Sequence, residues 1–219
     1  MDTKHKQAEV VKEFGPFPGN GRVHGVTYDG ESVWWASDKG LNAMDPDTGE
    51  ITRVLDVPAH AGTAFDGTHI YQIGDGNIRR IDPATGETVA TIPAPTADDS
   101  TGMAWAEGSL WVGQFDGKAI LQIDPATGKV LRTIPSDRMV TGVTWAAGDL
   151  WHATWEEEDS ELRRIDPQSG EVLECLELPK GINISGLESD GADRFFCGGC
   201  GTGKVRVVKR PGREKASKE

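Results

Sequence analysis

Four side chains that could transfer protons or act as nucleophiles interrupt an otherwise regular pattern in this chain. His24, Glu188, His152 and Cys197 stand where the corresponding repeats carry mostly side chains that do not titrate. Histidine and glutamate can exchange protons near neutral pH, and a cysteine beside a histidine can act as a nucleophile. The other repeats show which type of residue the blade structure requires at each position. A residue that departs from that type is therefore not required by the blade structure itself. We therefore predict that these four residues are catalytic.

Each of these residues also has a structural interpretation. His24 could be a polar rim residue bonded to a neighbouring loop, and Glu188 could pair with an arginine such as Arg22. His152 and Cys197 share one column of the second strands, which in the favoured interpretation packs between repeats. They become a neighbouring base and nucleophile only if that column turns toward a common opening.

Six further residues in or near irregular loops are predicted to contact a ligand. Trp155 precedes the acidic run 156–159 and could form one wall of a pocket for a cation or amine. Trp35 would then be the opposite wall. The alternative for the acidic run is an ordinary solvated loop. The predicted ligand-binding residues are Trp35, His60, Asp75, Gln114, Trp155 and Glu156.

A Cys-x-x-Cys segment joins Cys197 to Cys200 across two glycines. Alone, this spacing is compatible with a redox pair or with half of a zinc site. The chain has no second such segment, so a zinc site would need His24 or His152 to complete it. A tight turn is the favoured interpretation. We predict no cofactor, with a divalent metal on Cys197, Cys200 and His24 as the alternative.

A pentapeptide repeat defines the elements that must position these residues. The frame Asp-Pro-x-(Thr/Ser)-Gly occurs four times, at spacings of 37, 42 and 42 residues. A period near forty with strand-like flanks is typical of β-propeller blades. The four copies begin at Asp45, Asp82, Asp124 and Asp166.

The repeats predict an all-β, five-bladed propeller of four-stranded antiparallel blades. A fifth, degenerate unit begins at Gly186 and ends after its third strand, 205–208, while residues 9–14 resemble an outer strand. An N-terminal strand that completes the last blade would close the ring and hide its sheet edges. We expect one domain, with blades at about 24–59, 60–99, 100–139, 140–180 and 181–210 plus 8–14, and a polar tail at 211–219.

Turn regularity indicates which face of the propeller carries the site. The first and third turns of each unit follow fixed patterns, whereas the second turns and the linkers between units are irregular. Functional residues lie disproportionately in irregular loops on a rigid scaffold. We therefore predict the site at the axial mouth, on the face of the second turns and linkers.

Composition excludes several classes of partner. The 219 residues carry a formal net charge of −12, so a nucleic-acid backbone would be repelled. No apolar run reaches the length of a membrane span, and residues 1–7 lack a signal-peptide core. Three cysteines are too few for a disulfide framework. We expect a cytoplasmic monomer that acts on a small molecule and binds neither nucleic acid nor membrane.

The blade pattern resembles that of five-bladed proteins related to glutamine cyclotransferase, and more loosely streptogramin B lyase and gluconolactonase-like propellers. The resemblance covers roughly residues 8–211 and rests on Gly-apolar-Thr/Ala-aromatic, Leu-Trp and Ile-Asp-Pro-x-Thr-Gly segments. The segment Gly186-Leu187-Glu188 is similar to a Glu-Leu-Glu segment of the cyclotransferases. Those proteins carry Gln or Glu just before the blade-opening glycine. The residues at these positions here are His24, Ala61, Thr101, Thr141 and Ser185.

The resemblance implies a small-molecule enzyme of lyase, hydrolase or acyl-transfer type that uses acid–base residues at the axial mouth. The lyase resemblance further implies a metal held by histidine and glutamate around the axis. The alternative is a non-catalytic propeller that binds a small ligand or a protein on the same face. Titratable departures from the repeat, rather than an apolar patch, favour the enzyme.

Overall fold

A computed structural model describes residues 3–212, which fold into five β-sheets arranged as a propeller. Each blade contains four antiparallel strands, as the repeats predict. Residues 3–212 include no helix that is long and apolar enough to cross a bilayer. Residues 213–219 of the expected polar tail lie outside the described residues.

In blades 1 to 4 the strands run from the axis outward in chain order, and in blade 5 the N-terminal strand β2 is outermost. Blade 1 contains β3 (Val23–Tyr28), β4 (Val33–Ser37), β5 (Gly40–Met44) and β6 (Ile51–Leu55). Blade 2 contains β7 (Thr63–Phe65), β8 (Ile70–Gly74), β9 (Asn77–Ile81) and β10 (Thr88–Pro93). Blade 3 contains β11 (Ser100–Ala106), β12 (Ser109–Gln114), β13 (Ala119–Ile123) and β14 (Val130–Pro135). Blade 4 contains β15 (Met139–Ala146), β16 (Asp149–Glu156), β17 (Asp159–Ile165) and β18 (Val172–Glu177). Blade 5 contains β19 (Gly186–Ser189), β20 (Arg194–Gly198), β21 (Val205–Lys209) and β2 (Val10–Phe14), and β1 is Lys4–Gln7.

The repeated Asp-Pro frame forms the turn between the third and fourth strands. In blade 1, Asp45 Oδ1 accepts hydrogen bonds from the backbone N–H groups of Asp47 and Thr48, at 2.9 and 2.7 Å. These bonds keep the pKa of the Asp45 carboxyl group below its usual value, and the bond from the Thr48 N–H has the largest effect. Gly49 takes φ of +76°, which a glycine adopts without steric cost. The turn is therefore fixed by local residues, and it recurs in the next three blades.

The core lies between neighbouring blades. The second-strand column that includes His152 and Cys197 is fully buried in all five blades, which confirms the favoured interpretation of that column. In blade 1 the column residue Trp35 stacks on Phe17, with ring centroids 4.5 Å apart. The members of the column are Trp35, Gln72, Val112, His152 and Cys197.

The N-terminal segment closes the ring as predicted and also makes an additional contact. Strand β2 pairs antiparallel with β21, and Phe14 enters the core of blade 5. Strand β1, which the repeat pattern does not predict, pairs in parallel with β18 at the outer edge of blade 4. Lys6 Nζ lies 2.8 Å from the Glu174 carboxylate across this pairing. The segment therefore connects blades 4 and 5.

A ring of glycines narrows the axial channel just below the mouth. A Cβ atom on Gly186 would lie 2.6 Å from the carbonyl oxygen of His24, and one on Gly142 would lie 2.7 Å from the amide nitrogen of Leu187. Gly62 N–H donates directly to the carbonyl of Thr101 in the next blade, at 2.7 Å. Because neighbouring inner strands meet backbone to backbone here, no side chain fits. The glycine waist comprises Gly25, Gly62, Gly102, Gly142 and Gly186.

Candidate functional site

A cavity of about 280 Å³ occupies the axial mouth, above the glycine waist. Its lining residues come from the face of the propeller that carries the second turns and the linkers. This is the face on which the sequence predicts the site. The residues that precede all five blade-opening glycines contribute to its wall. The lining residues are His24, His60, Ala61, Thr101, Phe115, Thr141, Trp155, Asn183, Ile184, Ser185 and Cys200.

His24 forms a hydrogen-bonded pair with Asp38 at the rim of this cavity. Its Nε2 lies 2.9 Å from Asp38 Oδ1, and Asp38 Oδ2 accepts the backbone N–H of Arg22 at 3.3 Å. The bond to His24 is the main cause that lowers the pKa of the Asp38 carboxyl group. When an ionised Asp38 accepts a hydrogen bond from His24 Nε2–H, the free lone pair of the imidazole lies on Nδ1. This is the orientation of a histidine that acts as a general base.

His60 repeats this arrangement in blade 2. Its Nδ1 lies 3.4 Å from Asp75 Oδ1, and Asp75 also lies 3.4 Å from the Arg79 guanidinium. Asp38 and Asp75 occupy equivalent turns, between the second and third strands of blades 1 and 2. The contact of His60 is longer and more exposed than that of His24, so it holds its imidazole less firmly. The structure thus places the predicted residues His60 and Asp75 together at the mouth.

An aromatic wall stands on the side of the cavity formed by blades 3 and 4. Phe115 and Trp155 stack with ring centroids 5.7 Å apart and an interplanar angle of 22°. Ile184, from the linker before blade 5, extends the apolar surface. An apolar wall with a few polar groups is the usual composition of a small-molecule site.

Two polar atoms of lining residues have no hydrogen-bond partner among the described residues. They are the Thr141 hydroxyl oxygen and Trp155 Nε1, both buried from solvent. Buried polar groups are nearly always paired. A ligand in the cavity is one means of pairing them.

Glu188 lies on the axis below the waist and does not line the mouth cavity. It is three residues along β19 from Ser185, or about 10 Å at the rise of a β-strand. Its carboxylate accepts hydrogen bonds from Thr27 at 2.8 Å and Thr144 at 2.5 Å, on the two neighbouring blades. Burial nevertheless raises the pKa of Glu188 to about 7. The structure therefore separates Glu188 from His24, contrary to the expectation that they act together at the mouth.

His152 and Cys197 lie in the interior between blades, away from the mouth. His152 is 2% exposed, and burial lowers its pKa to about 3, so it stays neutral. Cys197 is 0% exposed, and burial raises its thiol pKa far above the usual value. Cys197 lies in strand β20, where apolar residues of blades 4 and 5 enclose it. This placement removes both residues from the mouth site.

Three of the predicted ligand-contacting residues are also placed elsewhere. Trp35 is buried against Phe17 in the core and forms no wall of the cavity. Gln114 Nε2 lies 3.3 Å from Thr96 Oγ1, and Glu156 pairs with Lys118 at 3.3 Å. Of the predicted ligand-contacting residues, His60 and Trp155 line the cavity, with Asp75 beside His60.

Residues 3–212 contain no group of three or more His, Cys, Asp or Glu side chains arranged to hold a metal ion. Of the alternative metal set, His24 and Cys200 line the cavity, whereas Cys197 lies in the core. The placement of these three residues therefore does not assemble the alternative site.

Sequence reasoning missed several residues that the structure places at the site, including Asp38, Phe115, Thr141 and Ile184. Asp38 and Phe115 lie in irregular second turns, and both turns were recognised as candidates. Loop irregularity identified the turns but not which side chain in each would reach the cavity. An aspartate at the same turn in blades 1 and 2, beside a histidine near the blade-opening glycine, is the signal that could have identified Asp38.

Solved structures are similar in fold to this chain over 82 to 95% of its length. Glutaminyl cyclase from Myxococcus xanthus matches with a TM-score of 0.77 and 15% identity, over 95% of this chain and 98% of that one. The WD40 β-propeller domain of Doa1 matches with a TM-score of 0.56 and 14% identity, over 95% and 98% of the two chains. Hydrazine synthase from Kuenenia stuttgartiensis matches at 0.53 and 18%, over 82% of this chain and 56% of that one.

At these identities the likeness defines the fold: a five-bladed β-propeller similar in architecture to a glutaminyl cyclase. Neither a protein-family model nor a curated protein sequence matches the chain.

Proposed function

We propose that this protein is a small-molecule enzyme that works in the axial mouth cavity by acid–base chemistry. His24 is the general base, Asp38 orients it, and the Phe115–Trp155 wall receives an apolar part of the substrate. The observation that carries the proposal is the 2.9 Å contact between His24 and Asp38 at the edge of a cavity of about 280 Å³. A base held by a second group beside a concave site is the geometry that general-base catalysis requires.

The substrate class we favour is an acyl compound, such as an amide or ester. Support comes from the likeness in fold to the Myxococcus xanthus glutaminyl cyclase. A peptide with an N-terminal glutamine is therefore the first substrate to test. Because this chain has no acidic residue before any blade-opening glycine, other amides, esters and lactones belong in the same screen.

A non-catalytic binding propeller is the rival function. The likeness to the WD40 domain of Doa1 and the apolar aromatic wall favour it. A binding module would gain thermal stability with a ligand but release no product.

The test is a screen for turnover with the wild-type protein and matched variants. We expect His24→Gln to lower kcat/KM by roughly 100-fold or more, because the general base is lost. Asp38→Asn retains the imidazole but removes its anionic partner, so it lowers kcat/KM by a smaller factor. His69→Gln is the control, because His69 bonds Arg80 at a first turn, on the opposite face. Turnover that is equal in wild type and His24→Gln would refute the proposed site.

A further inference from the structure

Cys200 is held beside His24 by hydrogen bonds between their backbones and one serine. The Cys200 carbonyl accepts Val23 N–H at 3.1 Å, in the residue just before His24. The Cys200 N–H donates to Ser185 Oγ at 3.1 Å, and the same Oγ lies 3.0 Å from the His24 carbonyl oxygen. The positions of Cys200 and His24 are therefore fixed relative to each other at one side of the mouth.

Both residues line the mouth cavity, and Cys200 is a free cysteine with partial exposure. The same cavity contains Thr141, which is 8% exposed and whose hydroxyl oxygen has no partner among the described residues. A thiol, a histidine–aspartate pair and an unpaired hydroxyl thus share one small apolar space. A thiol beside a histidine that is oriented by a third group is the arrangement of an activated nucleophile.

We propose that Cys200 is the nucleophile of the mouth site and that its substrates are amides or esters which pass through a thioester on Sγ. This inference rests on the proposed function and specifies its reaction. Hydrogen bonds between catalytic groups commonly shorten only when substrate binds. The proposal requires the thiol to reach the base and the substrate carbonyl in that complex.

Besides the substrate, the reaction consumes only water. His24 Nδ1 takes the thiol proton as Sγ bonds to the carbonyl carbon, and then returns it to the leaving amine or alcohol as the carbon–nitrogen or carbon–oxygen bond breaks. In the second half, His24 takes a proton from water as its oxygen attacks the thioester. The carbon–sulfur bond breaks, the proton returns to Sγ, and a carboxylic acid leaves.

The other two cysteines are excluded by their burial. Cys197 is enclosed in the core of blades 4 and 5, and Cys175 lies buried in β18 with its pKa raised to about 12, mainly by desolvation. Since the thiolate is the reactive form, both stay inert in the native protein. They serve as internal controls for any measurement on Cys200.

The first experiment measures thiol alkylation and needs no substrate. Native protein is treated with iodoacetamide at neutral pH, and peptide mass spectrometry follows each cysteine with time. We expect Cys200 to react first and His24→Gln to slow it by roughly tenfold or more, because the base that takes the thiol proton is lost. Asp38→Asn also slows it, and His69→Gln leaves it unchanged. Equal Cys200 rates in wild type, His24→Gln and Asp38→Asn would overturn the proposal.

The second experiment seeks the thioester itself. Wild type and Cys200→Ala are mixed with p-nitrophenyl acetate, quenched in acid and analysed by intact mass and peptide mapping. We expect an acetyl group on Cys200 in wild type and none at the mouth in Cys200→Ala. Turnover that survives Cys200→Ala but not His24→Gln would overturn the thioester step and leave the proposed function standing. If the alkylation rate of Cys200 depends on His24 but the protein turns over no substrate, the proposed enzymatic function is refuted, while the interaction between Cys200 and His24 stands.

Discussion

Glu188 carries its carboxyl group on the propeller axis, where hydroxyl groups surround it and little water reaches it. Thr27 and Thr144 donate to its two oxygens, and the backbone N–H of Ser189 donates at 2.8 Å. These bonds favour the ionised form, but desolvation outweighs them and raises the pKa to about 7. At neutral pH the folded protein therefore holds this group near its midpoint.

This environment predicts that stability falls as pH rises. Between pH 4.5, the ordinary value for Glu, and pH 7, the folded state retains a proton that the unfolded state has lost. The favourable contribution is complete below about 4.5 and is lost as pH passes through 7. The Glu188 side chain is partly exposed, so we expect a loss of about 2 kcal/mol between pH 5 and 8. Urea unfolding at a series of pH values measures it.

Glu188→Gln is the matched variant for that measurement. The amide does not titrate in this range, so the unfolding free energy of wild type minus that of the variant should fall by about 2 kcal/mol as pH rises from 5 to 8. A constant difference from pH 5 to 8 would contradict the raised pKa. Because Glu188 lies below the waist, its stability profile can be measured separately from turnover at the mouth.

At the scale of the element, the inner strands are shaped by glycines rather than by large side chains. Each blade needs a residue without Cβ where its inner strand meets the next one. The same glycines separate the mouth cavity from the Glu188 layer. The inner strand therefore both closes the ring and sets the floor of the site.

Gly186→Ala tests this close approach. Its Cβ would lie 2.6 Å from the His24 carbonyl oxygen and 2.8 Å from Val26 N, both backbone atoms that move only with their strand. We expect a loss of about 3 kcal/mol in unfolding free energy, at the upper end for overpacking. Urea unfolding monitored by tryptophan fluorescence provides the measurement.

Gly201→Ala is the control within the same blade. Apart from its chain neighbours, no atom of residues 3–212 lies within 4 Å of the Cβ position of Gly201, and its φ is not in the left-handed region. Its unfolding free energy should stay within about 0.5 kcal/mol of wild type. Equal stability of the two variants would argue against a closed glycine waist.

In the whole molecule, the N-terminal segment forms two strand pairings that contribute unequally to stability. Strand β2 supplies the outer strand of blade 5 and inserts Phe14 into the core. Strand β1 adds to the edge of blade 4 through exposed residues, with contacts such as Gln7 to Glu177 at 2.6 Å. Exposed ion pairs and hydrogen bonds of this kind contribute little to stability.

Two deletions distinguish these closures. Removal of residues 1–7 should lower the unfolding free energy by about 1–2 kcal/mol and leave a cooperative transition. Removal of residues 1–15 should abolish cooperative unfolding, because it exposes the edge of β21 and takes Phe14 from the core. Thermal melting followed by circular dichroism measures both. A protein without residues 1–15 that melts like the wild type would contradict closure of the ring by β2.

The sequence by itself determined the blade count, the strand order within each blade and the closure by residues 9–14. The blade count and strand order depend on local signals: the Asp-Pro turn is fixed by bonds between residues at most five apart, and strand alternation is set within a few residues. Closure is a long-range pairing, and it follows from the missing outer strand of the fifth repeat. It also indicated the face of the mouth, its titratable residues His24, His60 and Asp75, and Trp155 of the aromatic wall.

Only the tertiary structure decided which departures from the repeat share a site. The contact between His24 and Asp38 joins two strands, and the link from Cys200 through Ser185 to His24 crosses from one end of the chain to the other. Burial of His152 and Cys197 depends on how one blade packs on the next. Spacing along the chain does not encode these relations, because they are set by how five separately formed sheets meet around an axis.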